Sequence, residues 1–305
     1  MEREIWNGIN KADLLQYYNE AYPYIERYIH NRPQSLHIKL HGANAPGLYI
    51  KDMEGRQPDC ALIYSDIRRN KAAGKSNTID YLVCNNKATL LWMINLGCID
   101  VNPWNSRITN PEQPDYIVID LDPSENVRSE LGLNRLRETA MAANAYCNKN
   151  KLKTFIKTSG KSGIHLLIPC SGFNYSMARS FAEHICEEIH LLVPSISTTQ
   201  ISVSQRKDKV FIDPSQNDYA DTIASVYSVR PYIIPAVSTP VDAKELKKVD
   251  PHDFTIKTIF GRLRKNGDLF ENINDAKIIE ANNRALKNLA TGNRQHTALT
   301  VESGR

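Results

Sequence analysis

The residues best suited to chemistry lie in three stretches, two of them apolar runs that end in carboxylates and one a glycine-bearing turn between strands. The first is Tyr116-Ile117-Val118-Ile119-Asp120-Leu121-Asp122, closed by Pro123. A strand turns successive side chains to opposite faces, so Ile119 and Leu121 enter a core while Asp120 and Asp122 share the other side. Two neighbouring carboxylates repel one another, and a divalent cation or a basic partner is what keeps both ionised. On this motif alone, an Asp-x-Asp that merely caps the following helix is an equal reading. The second stretch is Thr158-Ser159-Gly160-Lys161-Ser162-Gly163-Ile164-His165. Its two glycines allow a tight turn with exposed N–H groups, to which Ser159, Lys161 and Ser162 add hydroxyl and ammonium donors, a chemistry suited to a polyphosphate. It is no Walker A loop, because the upstream glycine spacing is missing and a strand follows instead of a helix. His165 is either a ligand of that polyphosphate or a satisfied core histidine. The third stretch, Lys209-Val210-Phe211-Ile212-Asp213-Pro214, repeats the geometry of the first, and Tyr227-Ser228-Val229-Arg230 adds an arginine suited to bidentate phosphate binding. Together these residues fit a site in which Asp120, Asp122 and Asp213 hold two divalent ions that bridge an attacking oxygen and a triphosphate.

The elements that must position them read as an alternation of strands and helices. Asn10 to Tyr22 predicts a capped helix broken near Pro23, and Leu36 to Lys51 a hairpin or two short strands with Tyr49 and Lys51 on one face. Residues 60–65 and 78–83 predict two strands joined by a polar connection, Asp66 to Lys75, with four basic residues. That connection is either a solvated loop or a contact for phosphates. Asn86 to Leu96 reads as a short helix. A helix from about residue 129 carries Leu133, Leu136, Ala140, Ala143 and Cys147 at three and four spacing. Strands follow at Thr154–Lys157 and Ile164–Ile168. A second amphipathic helix then places Phe181, Ile185, Ile189 and Leu192 on one face. The implied fold class is α/β (α+β), a mixed sheet flanked by helices, with the carboxylates on the sheet edge.

Composition sets outer limits. The chain has 305 residues, enough for a sizeable core, and its net charge of +4 is too small to argue for nucleic acid by itself. None of the six cysteines falls in a Cys-x-x-Cys pair, so neither a zinc ribbon nor disulfides are expected. Met1-Glu2-Arg3-Glu4 lacks an apolar signal core and no run has membrane-spanning length, which predicts a cytoplasmic protein without a membrane partner.

The order Asp-x-Asp, Ser-Gly-x-x-Gly-x-His, apolar-Asp resembles the three motifs of the archaeo-eukaryotic primase superfamily. It is most similar to the polymerase (primase-polymerase) domain of bacterial DNA ligase D and its stand-alone relatives in non-homologous end joining. Asn10-Lys11-Ala12-Asp13-Leu14, Gly47-Leu48-Tyr49-Ile50-Lys51, Ala88-Thr89-Leu90-Leu91-Trp92 and Asp253-Phe254-Thr255-Ile256-Lys257 extend the likeness in family order over roughly residues 8–270. The resemblance implies a primase-polymerase core of mixed β-sheets flanked by helices. It implies template-directed transfer of nucleotides, often ribonucleotides, to a 3′-OH at a DNA break or gap, with Mn2+ or Mg2+ as a pair of ions. It assigns Asp120, Asp122 and Asp213 to catalysis and metal, and Ser159, His165 and Arg230 to the nucleoside triphosphate, beside the turn's own donors Lys161 and Ser162, with the residue that neutralises the triphosphate left open. Lys11 and Lys51 go to DNA, Lys11 at a downstream 5′-phosphate, and a Ku-like protein and a DNA ligase are implied partners.

Two departures stand out. Asn102-Pro103-Trp104 replaces the usual His-Pro-Trp, and Ser162 replaces a lysine common in the glycine turn, with Lys161 one place earlier. One domain is expected over about 1–280, with an N-terminal portion to about 105, a metal- and nucleotide-binding core over about 106–280, and a helix end and polar tail over 281–305. The rival readings are a haloacid-dehalogenase-like phosphatase, which shares the Asp-x-Asp strand end but needs a further acidic pair downstream, and a non-catalytic DNA-end binding module.

Overall fold

The computed structural model describes residues 4–70, 75–123 and 129–302. Strands β1 (Glu4–Trp6) and β2 (Ile9–Asn10) lead into helix α1 (Lys11–Ile29). Strands β3 (Leu36–Ile38) and β4 (Leu48–Ile50) form the expected hairpin. Next come β5 (Leu62–Asn70), β6 (Lys75–Val83) and α2 (Lys87–Leu96). The second half contains β7 (Tyr116–Asp122), α3 (Glu130–Lys149), β8 (Phe155–Thr158), β9 (Ile164–Pro169) and α4 (Tyr175–Leu192). It continues through β10 (Ser197–Thr198), α5 (Val203–Arg206), β11 (Val210–Asp213), β12 (Pro240–Val241), α6 (Ile259–Asn266) and α7 (Ala276–Glu302).

Six of these strands make the central sheet, in the order β10-β11-β7-β9-β8-β12. The β10–β11 pair is parallel and the other pairs are antiparallel, so the fold is the expected mixed α/β arrangement. The carboxylate strand β7 lies inside the sheet between β11 and β9, not at its edge. Its first four residues are apolar and buried, and a strand buried on both faces belongs in the interior of a sheet.

The two faces of this sheet hold separate apolar layers. Ile117, Ile119, Leu121, Ile164, Leu166, Ile168 and Ile212 pack against α3, α4 and α7 through residues such as Leu136, Ala143, Ile185 and Leu286. Tyr116, Val118, Phe155 and Leu167 face the opposite layer, built by α1 and α2 with Tyr17, Ile25, Leu90 and Met93. Asp120 continues the Tyr116 and Val118 row, so the site lies on the face covered by the N-terminal half, at the point where that face turns from apolar to charged.

Several elements depart from their sequence readings. Helix α1 runs through Pro23 to Ile29. The proline removes one backbone donor, and buried Tyr17, Tyr18 and Ala21 before it and Ile25, Tyr28 and Ile29 after it hold the two halves on one core. The connection expected at 66–75 is instead strand, since β5 and β6 pair from Leu62↔Val83 to Asn70↔Lys75, and residues 71–74 of that expectation lie outside those described. Leu192 is exposed at the last position of α4. The segment from residue 281, expected as a helix end and polar tail, begins within α7, where buried Asn282 donates to the carbonyls of Lys153 and Pro169 and Leu286 is fully buried. All six cysteines are free, five buried and Cys60 exposed. Among the described residues, no helix is long and apolar enough to cross a membrane.

Candidate active site on the central sheet

Strand register builds the site. Asp213 on β11 lies opposite Asp120 on β7, Asp120 lies opposite His165 on β9, and His165 lies opposite Lys157 on β8. Four strands thus present one transverse row of two carboxylates, an imidazole and an amine. Asp122 stands two residues beyond Asp120 on the same face, opposite Phe211.

Burial makes this row electrostatically demanding. Loss of water, followed by the negative fields of Asp122 and Asp213, pushes the Asp120 carboxyl up to about 8. Burial also raises Asp122, against the opposing pull of Lys161 and Arg206. Lys157, only 1% exposed, is held well below the ordinary lysine range by burial and then by Arg230, while Asp120 opposes the shift. His165 is lowered by burial and by the positive charges of Lys157 and Arg230.

Each carboxylate has a partner within the protein. Asp120 Oδ1 is 3.4 Å from His165 Nε2, Asp122 Oδ2 is 3.7 Å from Arg206 Nη1, and Asp213 Oδ1 accepts from the Ser215 N–H at 2.7 Å. So arranged, they form no ready-made cation cluster: no group of three His, Cys, Asp or Glu side chains able to hold a metal is present among the described residues. The donor chemistry nevertheless fits a hard divalent ion. When ionised, the three groups offer acceptor-only oxygens, and the repulsion at Asp120 is what such an ion relieves.

The glycine turn is held against this row. Gly160 has φ +72° and no room for a side chain, since a Cβ would come within 2.7 Å of both the Ser238 nitrogen and Arg230 Cγ. At Gly163 a Cβ would lie 2.4 Å from the Leu121 carbonyl oxygen, so only glycine lets the turn approach β7. The expectation of free N–H groups needs correction. Ser159 Oγ accepts from Lys161 N at 3.1 Å and from Gly163 N at 2.9 Å, so two of the turn's amides are satisfied internally. Ser159 is buried, Ser162 half-buried and Lys161 exposed, with its ammonium 5.8 Å from the Tyr232 ring centroid. Arg230 Nη1 donates to the Ser159 carbonyl at 3.2 Å, and its Nε lies 3.8 Å from buried Asp100.

Asp120, Asp122, Asp213, Ser159, Lys161, Ser162, His165 and Arg230 therefore come together around one end of β7. The two DNA candidates are placed differently. Lys11 begins α1 and donates its ammonium to the Asn95 carbonyl. The N–H groups of Ala12 and Asp13 are already taken by Asn10 Oδ1, so the helix start offers the Lys11 side chain without these two amides. Lys51 is exposed, and its charge is felt at Asp221. Asn102 is buried, with its carbonyl accepting from the Ser35 N–H.

Sequence reasoning missed four participants. Lys157 carried a usable signal, a lysine at an inward position of the run Phe155-Ile156-Lys157-Thr158. Arg206, stacked 3.7 Å over the Phe211 ring centroid, gave none, and its approach to Asp122 depends on folding. Asp100 and His37 pair at 3.1 Å beneath Tyr49, whose ring stacks on His37 at 4.2 Å, and 63 residues separate them in the chain.

Comparison with known proteins bears on this geometry directly. The family model described as LigD, primase-polymerase domain, matches residues 10–270. The chain belongs to this family. It is 26% identical over 276 residues to the bifunctional non-homologous end joining protein LigD of Bacillus subtilis, covering 88% of this chain and 43% of that protein. It is 27% identical over 265 residues to the multifunctional non-homologous end joining protein LigD of Mycolicibacterium smegmatis, covering 86% of this chain and 34% of that one. The chain thus spans less than half the length of these relatives. The polymerase domain from Mycobacterium tuberculosis ligase D, solved in complex with DNA, shares the fold with a TM-score of 0.80 at 24% identity, covering 90% of this chain and 96% of that one.

Proposed function

We propose that this primase-polymerase domain transfers nucleotides from nucleoside triphosphates, ribonucleotides among them, to a 3′-OH at a DNA gap or break. The observation that carries this reading is the register of the row Asp213–Asp120–His165–Lys157, which sets carboxylates on one side and nitrogen donors on the other across four adjacent strands. Such a row suits a triphosphate that needs cations at its reacting phosphate and fixed donors along its tail. Asp120, Asp122 and Asp213 would hold two divalent ions, Mn2+ or Mg2+, and when bound these supply charge neutralisation at the phosphates and activation of the 3′ oxygen. The remaining work falls to the chain's own groups. His165 and Arg230 orient the triphosphate, the Ser159 turn and Lys161 line its approach, and Ser162 replaces a charged donor with a neutral one.

Lys11 and Lys51 are assigned to DNA, Lys11 as a single-point contact to a downstream 5′-phosphate. Residues 1–280 act as one unit, and a Ku-like end-binding protein and a separate DNA ligase are its expected collaborators. A phosphatase of the haloacid dehalogenase type is disfavoured, since β7 is antiparallel to both neighbours where that doubly wound sheet requires parallel strands. A purely binding module is disfavoured because carboxylates facing DNA would weaken binding.

The test is incubation with a gapped duplex bearing a 3′-OH, nucleotides and manganese. Primer extension is the expected outcome. Phosphate release without extension would favour hydrolysis, and DNA binding with neither product would favour the binding module.

A further inference from the structure

Lys157 is a buried amine that neither the sequence reading nor the family assignment employs. It lies in β8, where all four residues are buried, and it points to the charged face of the sheet. Its Nζ is 2.7 Å from His165 Nδ1 and 2.7 Å from Ser238 Oγ. The Ser238 hydroxyl donates its own proton to the Thr158 carbonyl at 2.8 Å. The serine oxygen is therefore left as an acceptor, and the lysine must donate to it.

The same logic extends to the imidazole. An ammonium has three donors and no acceptor, and a neutral amine still has two N–H groups, enough for Ser238 and for Nδ1. With Nδ1 accepting, the ring proton sits on Nε2, which faces Asp120 Oδ1 at 3.4 Å. In the opposite arrangement, Nδ1–H would donate into an amine lone pair. A bare Nε2 would then face Asp120, acceptor against acceptor when that carboxyl is ionised. An ammonium at Lys157, or an ionised Asp120, therefore selects the Nε2–H tautomer.

We propose that Lys157 is a positioning residue that holds His165 as the Nε2–H tautomer, so that an N–H donor is presented on the side of the sheet where the incoming triphosphate lies. The role of the donor rests on the polymerase reading, and the tautomer assignment does not. Ser238 anchors the lysine from β12's side of the sheet, and the chain Thr158–Ser238–Lys157–His165–Asp120 links the backbone of β8 to the first carboxylate.

The experiment is nitrogen NMR of protein labelled with 15N-histidine, with the His165 signals assigned by their loss in His165→Gln. The expected wild-type spectrum shows a protonated Nε2 and an unprotonated, hydrogen-bonded Nδ1. A ring protonated at Nδ1, or at both nitrogens, would overturn the proposal, and this measurement needs no variant of Lys157. In Lys157→Met the bias should disappear. KM for the nucleoside triphosphate should then rise by about tenfold or more, with kcat changed by less than about threefold and affinity for gapped DNA unchanged. A folded Lys157→Met protein with the wild-type tautomer and KM would also overturn it. If the wild-type protein shows the Nε2–H tautomer yet extends no primer, the polymerase reading fails while the hydrogen-bond assignment stands.

Discussion

Asp120→Asn should make the metal-free protein more stable at mildly alkaline pH, although it removes a residue central to the site. The wild-type carboxyl titrates at about 8 in the folded state, through burial and then the charges of Asp122 and Asp213. In the unfolded chain it titrates at ~4. Between those values the folded protein retains a proton that the unfolded chain has lost, so its stability falls as pH rises through the window. One pH unit in that window corresponds to ~1.4 kcal/mol, so the span from about pH 5 to 8 bounds the effect at about 4 kcal/mol. The side chain is 21% exposed, and water reaching it reduces the expected loss to about half that bound. A loss of ~2 kcal/mol lowers the melting temperature by roughly 4–8 °C. The assay is thermal unfolding of both proteins in chelator from about pH 5 to 8, read as the difference between their curves so that the histidines cancel. The difference should grow in favour of the Asp120→Asn protein as pH rises, and manganese should stabilise the wild type more than the variant. Parallel curves, or a variant less stable throughout, would refute the electrostatic account of Asp120.

The other predictions concern the turn, the DNA contact and the departure at Asn102. Gly163→Ala forces a Cβ to 2.4 Å from the Leu121 carbonyl, and the expected cost is about 1–3 kcal/mol of stability by denaturant titration together with loss of extension. Lys11→Ala should weaken binding to 5′-phosphorylated gaps by ~1–3 kcal/mol and reduce the salt slope by about one ion, leaving gaps without that phosphate nearly unchanged. Equal losses on both substrates in a salt titration would reduce Lys11 to part of a general basic surface. Asn102→His should change nucleotide affinity by less than about tenfold in equilibrium binding, because the buried amide carries no charge for the site to have used.

What the sequence disclosed about this site was local. Alternation along Tyr116–Asp122 was enough to divide Ile119 and Leu121 from Asp120 and Asp122, and the structure packs the first pair against α3 and α4. The glycine spacing located a turn, and Asp213 announced itself by repeating the strand-end pattern. The missing parts are set by pairing between distant segments. That β7 lies inside the sheet follows from β9 and β11 closing on it from both sides, and that Lys157 faces His165 is a matter of register between two strands. Local signals also misled where packing overruled them. Pro23 signals a break, yet a core on both sides of it keeps α1 continuous. The polar text after Asn282 conceals an asparagine buried as a bracket between Lys153 and Pro169. Ser159, read as a donor to a ligand, has a second part that the local text did not show: its oxygen accepts from the turn's own amides while the hydroxyl proton stays available.

The most direct test of the central claim is primer extension on a gapped duplex by Asp120→Ala, Asp122→Ala and Asp213→Ala, each measured beside its affinity for the same DNA. Losing a metal ligand removes several kcal/mol of charge stabilisation at the transferred phosphate, whereas removing a carboxylate beside DNA relieves repulsion. Each variant is therefore expected to lose extension while binding DNA as tightly as the wild type or more so. A variant that keeps more than about a tenth of the wild-type rate, a loss of only ~1.4 kcal/mol, would contradict the assignment of that aspartate to the metals.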